Sequence, residues 1–204
     1  MADPRRPEQL ELRAKTWGGK RDRAGRKPAP GARVRHRSRR PFARRSPVHV
    51  TLRMAPTVYG LRSKRSLRVV RSALLGGGHR FEVRVVQLSL QGNHVHLLVE
   101  AGDQVALSRA IKGLSSRLAR GMNALMGRSG PVLGDRYHAR LLRTPTEVRR
   151  VMHYIRYNHQ HHGIGRALVD EYSSDGLLRG VLPVATTWLL TDGWRRGRAG
   201  PLEW

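Results

Sequence analysis

The chain has 204 residues, enough for one domain with a substantial core plus tails. It carries 40 Lys+Arg against 14 Asp+Glu, a formal net charge of +26, well beyond what solubility requires, and a surplus of this size implies a polyanionic partner, nucleic acid first among them. No cysteine is present, which excludes disulfides and thiolate metal sites; no apolar run reaches the ~18 residues of a membrane span, and the N-terminus has no apolar stretch for a secretory signal.

Residues 1–47 read as a basic arm, with sixteen Lys+Arg, four Asp+Glu and few large apolar side chains. Such a segment buries too little apolar area to offset its ordering entropy. It is either a phosphate-binding arm that reads no sequence or a solubilising extension. The expected folded domain spans 48–162, and 163–204 form a C-terminal extension that periodicity does not assign.

Val48 to Met54 alternate strictly, with Val48, Val50, Leu52 and Met54 on one side and His49, Thr51 and Arg53 on the other, the pattern of a half-buried strand. Ser63 to Leu75 predict a basic helix with Leu67, Val70, Leu74 and Leu75 on one stripe, ended by Gly76-Gly77-Gly78. Phe81 to Leu90 form a second strand, Gln91-Gly92-Asn93 a turn, and His94 to Ala101 a third strand. Asp103 caps a long helix to about Met126, whose stripe is Leu107, Ile111, Leu114, Leu118, Met122 and Leu125. A loop and a fourth strand, Arg136 to Arg143, lead to Thr144-Pro145-Thr146-Glu147, a capping box with Pro at the first helical position. Val148, Val151, Met152 and Ile155 form that helix's buried face, and Gly163 is its expected stop. Farther on, Trp188, Trp194 and Trp204 are candidates to dock on the core. The order β-α-β-β-α-β-α predicts an α+β, ferredoxin-like antiparallel sheet with helices on one face and the other face open to a substrate.

Two segments carry candidate chemistry. In a strand, residues two apart share a face, so His94 and His96 converge while Val95, Leu97 and Val99 pack inward. Two neutral imidazoles so placed suit a divalent cation, or are simply two solvent-facing histidines. On the capped helix, Tyr154 and Asn158 lie one turn apart on one surface. Taken alone they read as a packing residue and a surface or cap residue.

Together these motifs resemble the HUH-type single-tyrosine transposases, particularly the REP-associated tyrosine transposases. The resemblance covers about Val48 to His162 and rests on His49-Val-Thr-Leu-Arg53, on Asn93-His94-Val-His96-Leu-Leu-Val99, on Tyr154-Ile-x-x-Asn158, and on Gly130 to Thr144. It implies the HUH endonuclease fold, with His94 and His96 as ligands of Mg²⁺ or Mn²⁺, Tyr154 as nucleophile and Asn158 as a third ligand. It further implies a metal-dependent transposase that cuts and rejoins single-stranded or hairpin DNA through a 5′-phosphotyrosine intermediate. By the same likeness the protein works in the cytoplasm at the nucleoid, as a monomer or a homodimer. One departure is that many relatives have Pro after the Asn; here His159 follows, then His161 and His162, which are alternative third ligands. Tyr137 and Tyr157 are rival nucleophiles. Arg136, Arg140, Arg143, Arg149, Arg150 and Arg156 flank the site in sequence and are candidate phosphate contacts. The alternative reading is a non-catalytic nucleic-acid-binding protein on the same fold.

Overall fold

A computed structural model of the chain describes residues 41–42, 44–58, 60–77, 82–161 and 169–200. Nearly all of the basic arm, the start expected at Phe81, the stop at Gly163, His162 and Trp204 lie outside the described residues; so does the side chain of His161.

Strand β1 (Ser46–Arg53) begins two residues before the expected domain start. Helix α1 (Lys64–Leu75) is capped by the Ser63 hydroxyl, which accepts from Ser66 N at 3.1 Å. Then come β2 (Val83–Leu90), β3 (His94–Ala101), α2 (Gln104–Leu125) behind its Asp103 cap, β4 (His138–Leu141) and α3 (Pro145–His161). A short helix α4 (Trp188–Thr191) and a 3-10 turn (Gly193–Arg196) follow. Among the described residues the sheet has four strands in the order β2-β3-β1-β4, all pairs antiparallel. This is the ferredoxin-like arrangement expected from the element order.

The core lies where the alternation puts it. Val48, Val50 and Leu52 of β1, Val95, Leu97 and Val99 of β3, and Leu88 and Leu90 of β2 face α1 and α2, with Leu67, Val70, Leu107, Ile111, Leu114, Leu118 and Met122 packed over them. Two stripe residues are exposed, and Leu74 is only partly buried. Leu75 is exposed because it sits ~80° around the helix from Leu67, outside the arc that Ser66, Leu67, Val70 and Ala73 occupy. Leu125 keeps the phase of its stripe but stands at the solvent edge in the last turn. Strand β4 has four residues rather than eight.

Between Val85 and Gln87 the β2–β3 register shifts by one residue, a bulge at Val86. Val83 and Val85 before it, and Leu88 and Leu90 after it, therefore all reach the α1–α2 core. Val86 instead joins a second cluster on the other face.

That second face is not left open. Helix α3 lies on it, with Val148, Val151 and Ile155 buried against Leu98, Leu142 and Leu190. The apolar stripe of α3 demanded a partner, and Leu98 supplies it; each such side chain contributes ~1.5–3 kcal/mol when fully buried. The capping box forms as expected, Thr144 Oγ1 accepting from Glu147 N at 3.2 Å and Glu147 accepting from the N–H of Thr144 at 3.1 Å and of Arg143 at 2.8 Å.

The C-terminal extension is built onto the domain at two places. Residues 170–174 run along the β2 edge, Leu90 N donating to Tyr172 O and Ser174 N to Leu88 O. An Arg62–Asp170 pair locks them there, with Nη1–Oδ2 at 3.0 Å, Nη2–Oδ1 at 2.7 Å and a further Arg62 bond to Leu90 O at 2.7 Å. Farther on, the fully buried Glu100 accepts from Thr186 N at 2.8 Å, Thr186 Oγ1 at 2.8 Å and Thr187 N at 2.6 Å. Trp194 then packs into the α3 cluster. No helix among the described residues is long and apolar enough to cross a membrane.

Candidate active site

The β1–β3 register sets Thr51 directly opposite His96, and His49 diagonally beside it. His96 is consequently ringed by polar neighbours from the adjacent strand. Its Nδ1 lies 3.1 Å from His49 Nε2 and 3.3 Å from Thr51 Oγ1. His94, two residues back, has its ring centroid 4.7 Å from that of His96. Its Nδ1 donates to Asn93 Oδ1 at 2.6 Å, which fixes the tautomer with the lone pair on Nε2. The contacts at His96 Nδ1 orient that ring in the same manner, through a neighbour rather than through the backbone.

Helix α3 brings Tyr154 to this pair. The phenol ring stands edge-on to His96 at 5.1 Å between centroids and 6.2 Å from His49, all within one chain. Asn158, one turn on, is fully buried, and neither end of its carboxamide makes a well-formed hydrogen bond among the described residues. Its weaker interaction with the phenol still acts on Tyr154: burial pushes the phenol up from its ordinary value and Asn158 eases it part of the way back. Two imidazoles on one sheet face and a buried carboxamide beside the phenol form a nitrogen-and-oxygen donor set that suits a divalent cation. Among the described residues no three His, Cys, Asp or Glu side chains cluster as a metal site.

The rival tyrosines are placed elsewhere. The Tyr137 hydroxyl pairs with Ser108 of α2 at 3.0 Å, and its ring packs on the α1–α2 core. Tyr157 packs against His153 at 4.5 Å. Among the six flanking arginines, Arg136, Arg143 and Arg156 stand exposed. Arg140 pairs with Glu147 at 3.3 Å and Arg156 with Asp175 at 3.1 Å. Arg149 donates to Gly197 O at 2.8 Å, and Arg150 lies against Gly200. His159 is buried.

His49 is the residue that sequence reasoning passed over. It belongs to the outward set of β1, yet it is 1% exposed because α3 closes over that face. Burial first, then the charges of His138 and Arg140, lower its pKa from 6.5 to about 4. It is therefore neutral at physiological pH and serves His96 as a hydrogen-bond partner. Glu100, two strand positions beyond Leu98 on the same face, behaves as an acid of the opposite kind: burial raises it, but the donors from Thr187 and Thr186 outweigh that and hold it below 4.5.

Both shifts make the fold acid-sensitive. Each folded value lies below the unfolded one, so the unfolded chain binds the proton first. The contribution of His49 is complete above pH 6.5 and declines between 6.5 and about 4, at most roughly 3 kcal/mol at ~1.4 kcal/mol per unit; that of Glu100 follows as the pH falls through its folded value. The urea midpoint should drop steadily from pH 7 to pH 4, and His49→Gln should flatten the upper part of that fall. A wild-type midpoint unchanged between pH 7 and pH 5 would contradict a buried neutral His49.

The family model described as "Transposase IS200 like" matches residues 59–158. The chain is similar in structure to a REP-associated tyrosine transposase solved bound to a REP hairpin, at 14% identity and a TM-score of 0.57, covering 83% of this chain and 94% of that one. A transposase structure from Deinococcus radiodurans R1 aligns at 17% identity and a TM-score of 0.40, over 59% of this chain and 95% of that one. No curated protein sequence matches the chain.

Proposed function

We propose that this chain, whose residues 59–158 match the IS200-like transposase family model, cuts and rejoins single-stranded or hairpin DNA with Tyr154 as its nucleophile. The observation that carries the reading is the meeting of Tyr154, His96 and His94 on one sheet face of one chain, with centroids 5.1 Å and 4.7 Å apart. The hairpin substrate is taken from the structural relative, which was solved on one.

In this scheme the Tyr154 oxygen loses its proton to water and attacks the scissile phosphorus. The bond from phosphorus to the 3′ oxygen breaks, that oxygen takes up a proton, and the 5′ phosphate stays on the tyrosine. The covalent link retains the energy of the broken bond, so rejoining needs no nucleotide hydrolysis. His94, His96 and Asn158 would hold a Mg²⁺ or Mn²⁺ ion, which when bound offsets charge on the scissile phosphate. Without such help the attack is hard, because burial disfavours the phenolate. His49 and Asn93 act as positioning residues, each fixing one imidazole. The exposed Arg136, Arg143 and Arg156 are the candidate contacts to DNA phosphates.

Assembly within one chain is favoured by the link between β4 and α3. It consists of residues 142–144, with Leu142 N bonded to Pro47 O at 2.9 Å and the next two N–H groups held by Glu147. So short and tethered a connection leaves little slack for α3 to serve a second subunit.

The test is covalent capture. Wild-type protein incubated with labelled hairpin DNA and Mn²⁺ should yield a labelled protein band on a denaturing gel, and a chelator should abolish it. Hairpin retardation on a native gel with no denaturation-resistant band, whatever the metal, would instead favour a non-catalytic DNA binder.

A further inference from the structure

The C-terminal extension carries an aromatic side chain that the reaction does not use. Trp194 fills the cluster beneath α3, but Trp188 does not fill any core: half of its surface, 51%, is exposed. A large apolar ring at the surface is ordinarily loose, yet this one is fixed. It rests directly on the backbone of Gly193, where a Cβ would come within 2.8 to 3.1 Å of three ring atoms. The preceding residue, Thr187, is tied by its N–H to Glu100 at 2.6 Å. The turn that follows is held to the start of α3, with Arg149 donating to Gly197 O at 2.8 Å and Arg198 N to Thr146 Oγ1 at 3.2 Å.

The surroundings of the ring are cationic. The Arg196 guanidinium lies 5.6 Å from the Trp188 centroid, is exposed, and forms no ion pair among the described residues. Arg195, over the Trp194 ring at 5.2 Å, and Arg198 are exposed nearby in the chain, and Arg195 pairs with Asp192 at 2.9 Å. A fixed, half-exposed π surface with one unpaired guanidinium lying offset over it is a combination that takes an unpaired nucleobase on the ring and its phosphate on the arginine. A protein partner would be expected to meet an apolar surround and more balanced charge.

We propose that Trp188, with Arg196, is a stacking site for an unpaired nucleotide of single-stranded DNA, separate from the site of cutting. The extension meets α3 at Thr146, eight residues before Tyr154, or ~12 Å along the helix at 1.5 Å per residue. In this proposal the ring engages a single-stranded flank rather than the scissile link. The inference rests on the DNA-processing reading above and adds the feature of the substrate that the extension selects.

Fluorescence anisotropy of the full chain tests it with three labelled probes: a twelve-residue dT strand, a hairpin with a dT flank, and the same hairpin with a blunt end. Trp188→Ala should weaken binding of the dT strand and the flanked hairpin about 5- to 100-fold, the range of one lost base stack. The blunt hairpin should change less than about twofold, and Trp188→Phe should regain most of the loss. Arg196→Ala should lower affinity for the same two probes. The stacking site is overturned if Trp188→Ala binds the dT strand as wild type does, if it loses the blunt hairpin equally, or if Trp188→Phe is no better than Ala. Covalent capture with wild-type protein is read alongside. An adduct together with an unaltered Trp188→Ala affinity sinks the stacking site alone. Wild type that neither binds nor forms an adduct sinks the DNA-processing reading and this inference with it.

Discussion

Tyr154→Phe should eliminate the covalent protein–DNA band and all rejoining, a loss on the order of 10⁴-fold or more, as expected when a nucleophile is removed outright. Hairpin affinity should stay within about twofold, because the change deletes one hydroxyl from a half-buried ring whose packing remains. The separation of the two readouts matters: a mutant that lost binding as well would indicate a disturbed α3 rather than a missing nucleophile. Tyr157→Phe and Tyr137→Phe should both retain the adduct. Tyr137 sits on the α1–α2 side with its hydroxyl on Ser108, and Tyr157 turns toward His153. An adduct that survived Tyr154→Phe and vanished with Tyr157→Phe would transfer the role one turn along the helix.

Arg62→Ala should cost about 3–5 kcal/mol of folding stability, the usual result of stranding one partner of a buried ion pair. Asp170 is almost wholly buried, and its carboxylate meets Arg62 through both oxygens. Arg62 also carries Leu90 O at 2.7 Å and spans the Tyr172 ring at 4.8 Å, so its loss frees the segment that lines the β2 edge. Replacing both charges, as in Arg62→Met with Asp170→Leu, should recover much of the loss, since the penalty comes from an unpaired charge and not from the absence of a salt bridge. Urea unfolding of the three proteins checks this. A cost below about 1 kcal/mol for Arg62→Ala would mean that residues 169–174 are not held as described.

The parts of the fold legible in the sequence are those governed by short-range periodicity. The alternation of Val48 to Leu52, the apolar stripe from Leu107 to Met122 and the Thr144–Glu147 capping box each dictate their element, and each element forms. His94 and His96 were placed on one face by the two-residue repeat alone. The occupancy of that face was harder to read, because it depends on where α3 docks, a contact between residues far apart in the chain. A signal was present: Leu97-Leu98-Val99 breaks the alternation of β3, and a continuous apolar run marks a strand covered on both sides. Read that way, Leu98 points to a second cluster and His49 becomes a buried residue rather than a solvated one. The extension after residue 168 is held largely by scattered long-range contacts, among them Arg62–Asp170 and Glu100 with Thr186 and Thr187. Such contacts leave no periodic trace.

The supernumerary residue at Val86 works as a phase shifter. Upstream and downstream halves of β2 both send their valines and leucines to the same helices, although an uninterrupted strand would have sent them to opposite sides. Shortening the strand by one position there would turn Arg84 inward and Val83 and Val85 outward, a reversal that no side-chain replacement could imitate. Length, more than composition, is thus the constrained property of this strand, and variants that keep it can exchange side chains far more readily than they can lose a residue.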